Sequence, residues 1–295
     1  MENSNKERII FLDRALNTRD LGGLVNRGYK KIKEGLLYRS SQLNYLSPAD
    51  VEQLKRLNLG TVVDFRAIKE ADELPDKLPN DVQVIHVPII GNHLDENKIA
   101  DYVLENNLPL SMTDKEATWK YGPFQRMLYL VNSYRDPAYV EVVKQYKPFF
   151  QQLLIQPVEK ALLYHCTGGR DRTGLATAFL LDMLDVPMET IKANYLKSNE
   201  LLQPDSKNKS STAYQRFIFS NVYIQPTDNI HFIRIAEEFG TTPEKIYNSL
   251  KLKPEYLDQI FGNIVKEYGS MKSFYEKEFS IGETAIVQLK SKYLG

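Results

Sequence analysis

The chain has 295 residues, 42% hydrophobic and 26% charged, enough to bury a substantial core as one large domain or two small ones. Its 38 acidic and 38 basic residues balance, so net charge gives no reason to expect nucleic acid or an acidic membrane as a partner. No apolar run approaches the roughly 20 residues that span a bilayer. The one cysteine excludes an intramolecular disulfide framework and any multi-cysteine zinc site.

In chain order, the first residues, Met-Glu-Asn-Ser-Asn-Lys-Glu-Arg, lead into no h-region. This predicts a cytoplasmic protein without an ordinary secretory signal, with export by a non-standard route left open. Residues 28–39 (GYKKIKEGLLYR) read as a short hairpin or strand pair. A helix is expected from Ser47-Pro48, where Ser47 caps and Pro48 suits the first helical position. Val51, Leu54 and Leu57 would form its apolar face, and Gly60 would end it. Thr61–Arg66 then reads as a buried strand, and Val82–Ile90 as another β-rich run stopped by Gly91. Residues 92–150 are less regular and carry helical, aromatic material that would suit a lid or surface helices. Ala161–His165 is a short apolar strand ending at Cys166. Thr173–Leu184 and Pro187–Asn199 read as helices, and the chain beyond residue 200 as helical, with breaks at Pro204, Pro226, Gly240 and Pro254. Strands alternating with helices predict an α/β fold, a central, mostly parallel sheet flanked by helices, with a helical insertion and a helical C-terminal part. With no repeat or flexible linker in view, residues 1–295 read as one domain.

A lone cysteine is most often a small buried hydrophobe. Cys166 differs by its place between a strand end and a following helix, where ligands bind on open parallel sheets. In the run His165-Cys166-Thr167-Gly168-Gly169-Arg170-Asp171-Arg172-Thr173-Gly174, five residues separate Cys166 from Arg172. A loop of that length can wrap one tetrahedral oxyanion. Gly168 and Gly169 permit positive φ and close backbone approach, so successive N–H groups can form an anion-binding nest. The following helix adds its N-terminal dipole, and the planar fork of Arg172 can hold two phosphate oxygens. The same field favours a thiolate at Cys166, the form that attacks phosphorus in line. Thr173 could donate a hydroxyl hydrogen bond to the sulfur. His165 could tune the cysteine or be a satisfied buried histidine. The predicted reaction runs through a cysteinyl-phosphate that water hydrolyses. It requires no metal or other cofactor, since Arg172 and the amides supply the charge stabilisation. A thiosulfate sulfurtransferase and a phosphate-binding module without turnover are the competing readings. The Arg-Thr-Gly ending opposes the first, and the presence of both Cys166 and Arg172 the second.

The loop resembles the signature of cysteine-based tyrosine and dual-specificity phosphatases. More narrowly, the chain resembles the bacterial tyrosine/lipid phosphatases of the protein tyrosine phosphatase B type, whose loop reads HCxAGKDRTG. Asn17–Gly23 (NTRDLGG) is similar to the family's NFRDLGG, and Leu37–Ser41 (LYRSS) to its FRSS segment. Val63-Asp64-Phe65-Arg66 with Glu70 resembles its DLR...E strand, and Tyr195–Asn199 (YLKSN) its YLxSN. Tyr256-Leu257 through Tyr268-Gly269-Ser270 also fits. Thr18 stands where the family has Phe, read as a packing detail, and Arg170 where it has Lys. The resemblance implies action on phosphotyrosine, extending to phosphoserine/threonine and to phosphoinositides or other inositol phosphates, which makes phosphorylated proteins or inositol compounds the partners. No Trp-Pro-Asp loop is present, because Trp119 is followed by Lys120-Tyr121. The resemblance therefore points to Asp171 as proton donor, with an ion pair to Arg170 or Arg172 as its structural alternative. Asp64 and Arg66 would line the pocket or form a buried ion pair, and Arg19 and Asp20 carry the same two readings.

Overall fold

A computed structural model describes residues 8–89, 139–202, 233, 236–237, 240–249 and 251–295. Six strands form one sheet: β1 (Arg8–Ile9), β2 (Arg19–Asp20), β3 (Leu37–Ser40), β4 (Leu59–Asp64), β5 (Gln83–His86) and β6 (Ala161–His165). Their order is β1-β2-β3-β6-β4-β5. The three pairings among β3, β6, β4 and β5 are parallel, and β1-β2-β3 is antiparallel. The fold is the expected α/β class.

Alternation along the strands sends side chains to two cores. Val63, Leu162 and Tyr164 face one core, built with the helices Tyr139–Val143 (α3), Lys147–Ile155 (α4), Asp171–Met183 (α5), Met188–Leu201 (α6) and Pro254–Tyr268 (α8). Val62 and Leu163 face a smaller core closed by Leu54 of helix α1 (Pro48–Lys55), with Leu43 and Leu46. Between them lies the central strand, β6, with all five residues buried. A further helix, α7 (Pro243–Ser249), precedes α8. After α8 come the short α9 (Met271–Phe274), a π-helical turn (Tyr275–Phe279) and α10 (Glu283–Tyr293). Among the described residues no helix is long and apolar enough to cross a membrane.

Helix α1 starts as expected: Ser47 Oγ accepts from Asp50 N (3.2 Å), while Asp50 accepts from Ser47 N (2.9 Å). It ends at Lys55, before Leu57, and the break falls at Asn58 (φ 52°) rather than at Gly60. Gly60 lies within β4, where a Cβ would come 2.8 Å from Lys160 Cβ, so it serves strand packing. Residues 28–36 form no strand pair. Val25 and Lys31 make only an isolated bridge, Ile32 bridges to Leu294, and Leu37–Ser40 joins the main sheet instead. The 82–90 run is a strand over Gln83–His86. Residues 92–138 of the expected lid, with Trp119, and the breaks at Pro204 and Pro226 lie outside the described residues.

Candidate active site

Cys166 follows the last residue of β6, is 3% exposed, and faces the start of α5. Thr167, Gly168, Asp171 and Arg172 are the partly exposed residues of the loop, which places its opening on their side. Of the two glycines only Gly169 takes a left-handed φ, +60°. A Cβ there would stand 2.2 Å from Ser40 O. Gly169→Ala is therefore expected to displace the loop, lower the urea midpoint and remove most turnover. A variant matching the wild type in both would show that the loop tolerates the clash.

For amides to turn toward an anion, the carbonyls of the same peptides must turn away, because a trans peptide points its N–H opposite to its C=O. Those carbonyls then need buried donors. Gly169 O accepts from Asn17 Nδ2 (2.8 Å) and from Arg39 Nη2 (2.7 Å), and Gly168 O from Asn17 Nδ2 (3.2 Å). Arg39 Nη1 in turn donates to Asn194 Oδ1 (2.9 Å), and Asn17 Nδ2 also reaches Ser198 Oγ (3.2 Å). Arg19 is buried beneath them, donating to both oxygens of Asn17, to Asn194 O (3.1 Å) and to Ser198 Oγ (3.3 Å). The segments Asn17–Gly23, Leu37–Ser41 and Tyr195–Asn199 thus meet behind the loop. Arg19 acts there as a support, and Asp20 holds the turns at Gly22 N (2.9 Å) and Gly35 N (2.8 Å). Thr18 does more than pack, since its hydroxyl lies 2.7 Å from Ala15 O and 2.6 Å from Ser40 Oγ.

Arg172 is aimed by Glu70, whose carboxylate accepts from Arg172 Nη1 (3.1 Å), Thr167 Oγ1 (2.9 Å) and Ala67 N (2.8 Å). Arg172 Nη2 also donates to Thr167 Oγ1 (2.9 Å), and Tyr146 Oη to Arg172 O (2.8 Å). Burial pushes the Glu70 carboxyl up, but Arg172 and the other donors outweigh it and hold it below its ordinary range. Burial likewise opposes the charge of Arg172, which Cys166 and Glu70 more than restore.

Asp171 pairs with Arg170, whose Nε and Nη2 lie 3.0 and 3.2 Å from its two carboxylate oxygens. The Thr173 hydroxyl, expected at the sulfur, is buried with no hydrogen-bond partner among the described residues. Asp64 and Arg66 form a buried ion pair with contacts of 2.7–3.0 Å. Arg66 extends this pair to Asp76 (2.9 Å), which also meets His165 Nε2 (2.9 Å). Neither Asp64 nor Arg66 hydrogen-bonds or ion-pairs with the loop's glycines or with Arg172. Asp64, Asp76 and His165 offer ligand atoms within 4.8 Å of one another, yet the guanidinium of Arg66 bonds to both carboxylates, as in an ion-pair network. Sequence reasoning named Glu70 only as part of a motif and missed Asp76 and Tyr146 as neighbours of the loop. Glu70 lies in the first turn of helix α2 (Ile68–Glu73), where acidic residues are favoured, although Ala67 before it is no capping residue. Asp76, in an irregular segment, carries no such signal.

The model of the tyrosine phosphatase family matches residues 10–295. A Cupriavidus necator protein provisionally named a tyrosine-protein phosphatase is 28% identical over 285 residues, 97% of this chain and 88% of its own. The triple specificity protein phosphatase PtpB of Mycobacterium tuberculosis is 25% identical over 275 residues, 90% of this chain and 92% of that one. A tyrosine-protein phosphatase of Nostoc commune is 28% identical over 256 residues, 85% and 72% of the two chains.

Proposed function

Because the chain belongs to the tyrosine phosphatase family, we propose that Cys166 takes the phosphoryl group from phosphotyrosine and that water then releases it as inorganic phosphate. The protein is a phosphoric monoester hydrolase; the route through Cys166 and the choice of ester are what this reading adds. One observation carries it: the chain's one cysteine begins a loop whose Arg172 is held by Glu70 and whose carbonyls are tied behind it. In the first step the P–O bond to the tyrosine oxygen breaks as the S–P bond forms, and a proton goes to the leaving oxygen. In the second, water breaks the S–P bond and the thiolate returns. Thr167, Gly168, Gly169 and Arg170 contribute loop amides, and Arg172 two N–H groups, to the equatorial oxygens. Activity on phosphoserine/threonine or phosphoinositides is a wider form of the same reading, supported by the relative named a triple specificity phosphatase. Arg170 stands where the resembled family has a Lys that would meet an additional phosphate of an inositol lipid; its Nε and Nη2 are engaged with Asp171, which favours the phosphotyrosine form. We read residues 1–295 as one phosphatase domain, which the extent of the family match supports.

Leaving groups separate the two roles of Asp171. Nitrophenolate leaves without a proton, whereas a serine or inositol oxygen needs one, and general-acid help is then worth about 10²–10⁴-fold. Asp171→Asn is expected to cost far more with phosphoserine or inositol phosphates than with p-nitrophenyl phosphate. Equal losses across these substrates would make Asp171 a partner for Arg170 alone.

A further inference from the structure

His165, the last residue of β6, is fully buried, and both of its ring nitrogens face acceptors. Nδ1 lies 3.2 Å from the Cys166 carbonyl oxygen, which can only accept. Nε2 lies 2.9 Å from Asp76 Oδ2. The other oxygen of Asp76 accepts from Arg66 Nη2 (2.9 Å) and Leu43 N (3.2 Å), as a carboxylate would. A neutral imidazole can donate from only one nitrogen, so this arrangement is satisfied by the doubly protonated ring. Charge balance agrees, since Asp64 and Asp76 supply two negative charges and Arg66 one positive, leaving one to be supplied by His165. These groups, with Cys166, face the ring; His86 of β5 stands beyond, 3.9 Å from Asp64.

We propose that Asp76 is a positioning residue for the catalytic loop: it holds His165 as an imidazolium whose second N–H fixes the Cys166 carbonyl. Tying that carbonyl to the ring turns the Thr167 N–H the opposite way, as Gln42 N does for the next peptide through Thr167 O (3.1 Å) and Asn17 and Arg39 do for the two after it. The inference rests on the reading of this loop as the phosphate site.

Burial works against the charge of His165, but Asp76 and then Asp64 raise its pKa above the ordinary 6.5. Burial raises Asp76, but His165 and Arg66 outweigh it and bring its pKa below the ordinary 3.8. The sign follows for stability. The contribution of His165 is complete below 6.5 and is lost as pH rises through its raised pKa. That of Asp76 is complete above 3.8 and is lost as pH falls through its lowered pKa. The gap in urea midpoint between wild type and Asp76→Asn is therefore expected to be widest between 3.8 and 6.5.

Long-range proton–nitrogen spectra of the full chain should show the His165 ring doubly protonated in the wild type at about pH 7.5, where a histidine with the ordinary pKa is mostly neutral. In Asp76→Asn, where burial opposes the charge without its main counter-ion, the ring should lose its second proton at lower pH than in the wild type, and the wild-type to variant ratio of kcat/KM for p-nitrophenyl phosphate should rise about tenfold from pH ~5 to pH ~8. A merely structural role predicts a ratio independent of pH, and that result would overturn the proposal. So would a neutral ring in the wild type, a measurement that requires no variant to fold. The spectra need no turnover, so if no phosphate ester is hydrolysed the phosphatase reading fails and the ring's charge is still decided on its own.

Discussion

Cys166→Ser is expected to lower kcat on p-nitrophenyl phosphate by roughly 10⁴–10⁶-fold, the scale seen when a covalent nucleophile is removed. The loss is chemical. A serine hydroxyl is ionised far less than a thiol in the same place, and its oxygen is a poorer leaving group from phosphorus in the second step. Binding should survive, because the groups that meet the phosphate oxygens in this reading are Arg172 and the loop amides. Those stay fixed by Glu70, Asn17 and Arg39. Equilibrium dialysis with a phosphotyrosine peptide should give a dissociation constant within a few-fold of the wild-type KM. Rapid quenching of the wild type followed by mass spectrometry should find phosphate on Cys166. A serine variant with wild-type rates would end the cysteine mechanism, and phosphate on any other residue would relocate it.

Arg172→Lys should come next in severity although the charge is kept. The guanidinium has several donors at fixed angles, so it can remain on Glu70 Oε2, Phe65 O and Thr167 Oγ1 while offering N–H groups elsewhere. A lysine ammonium held by Glu70 has one nitrogen to divide between that carboxylate and the phosphate. Loss of one well-placed transition-state donor costs about 2.7–4 kcal/mol, or roughly 10²–10³-fold in kcat. The loss should appear in kcat more than in KM, since charge develops on the equatorial oxygens during transfer. A decrease below about tenfold would place Arg172 away from the phosphate.

The parts of this fold written in local sequence were legible, and the parts made by distant contacts were not. Ala161–His165 could be read because a five-residue apolar run between turn signals is too short for a buried helix. The helix at Ser47-Pro48 announced itself through its cap. The end of that helix was misplaced because Gly60 is the obvious breaker, whereas Asn58 adopts the left-handed turn and Gly60 answers to the Lys160 side chain across the strand. Within the loop, Gly168 and Gly169 looked equivalent, and only the approach of Ser40 O distinguishes them. Asp64 and Arg66, at a strand end, carried two readings, pocket lining or a buried ion pair, and the structure shows the ion pair. Their bidentate pairing depends on how Arg66 folds back, which no spacing rule shows. Asp76 was missed for the same reason, since its three partners come from residues 43, 66 and 165.

The tethers behind the loop also govern when this centre can come into existence. Gly169 is separated from Arg39 by 130 residues and from Asn17 by 152, so nearly half the chain must be closed into place before its carbonyl finds either donor. Contacts of such long range form late, after local helices have already appeared. A chain diluted from denaturant should therefore recover its helical circular dichroism before its ability to cleave phosphate. During that interval Cys166 is an ordinary thiol on an unfinished chain, without the oriented amides that would make it a phosphatase.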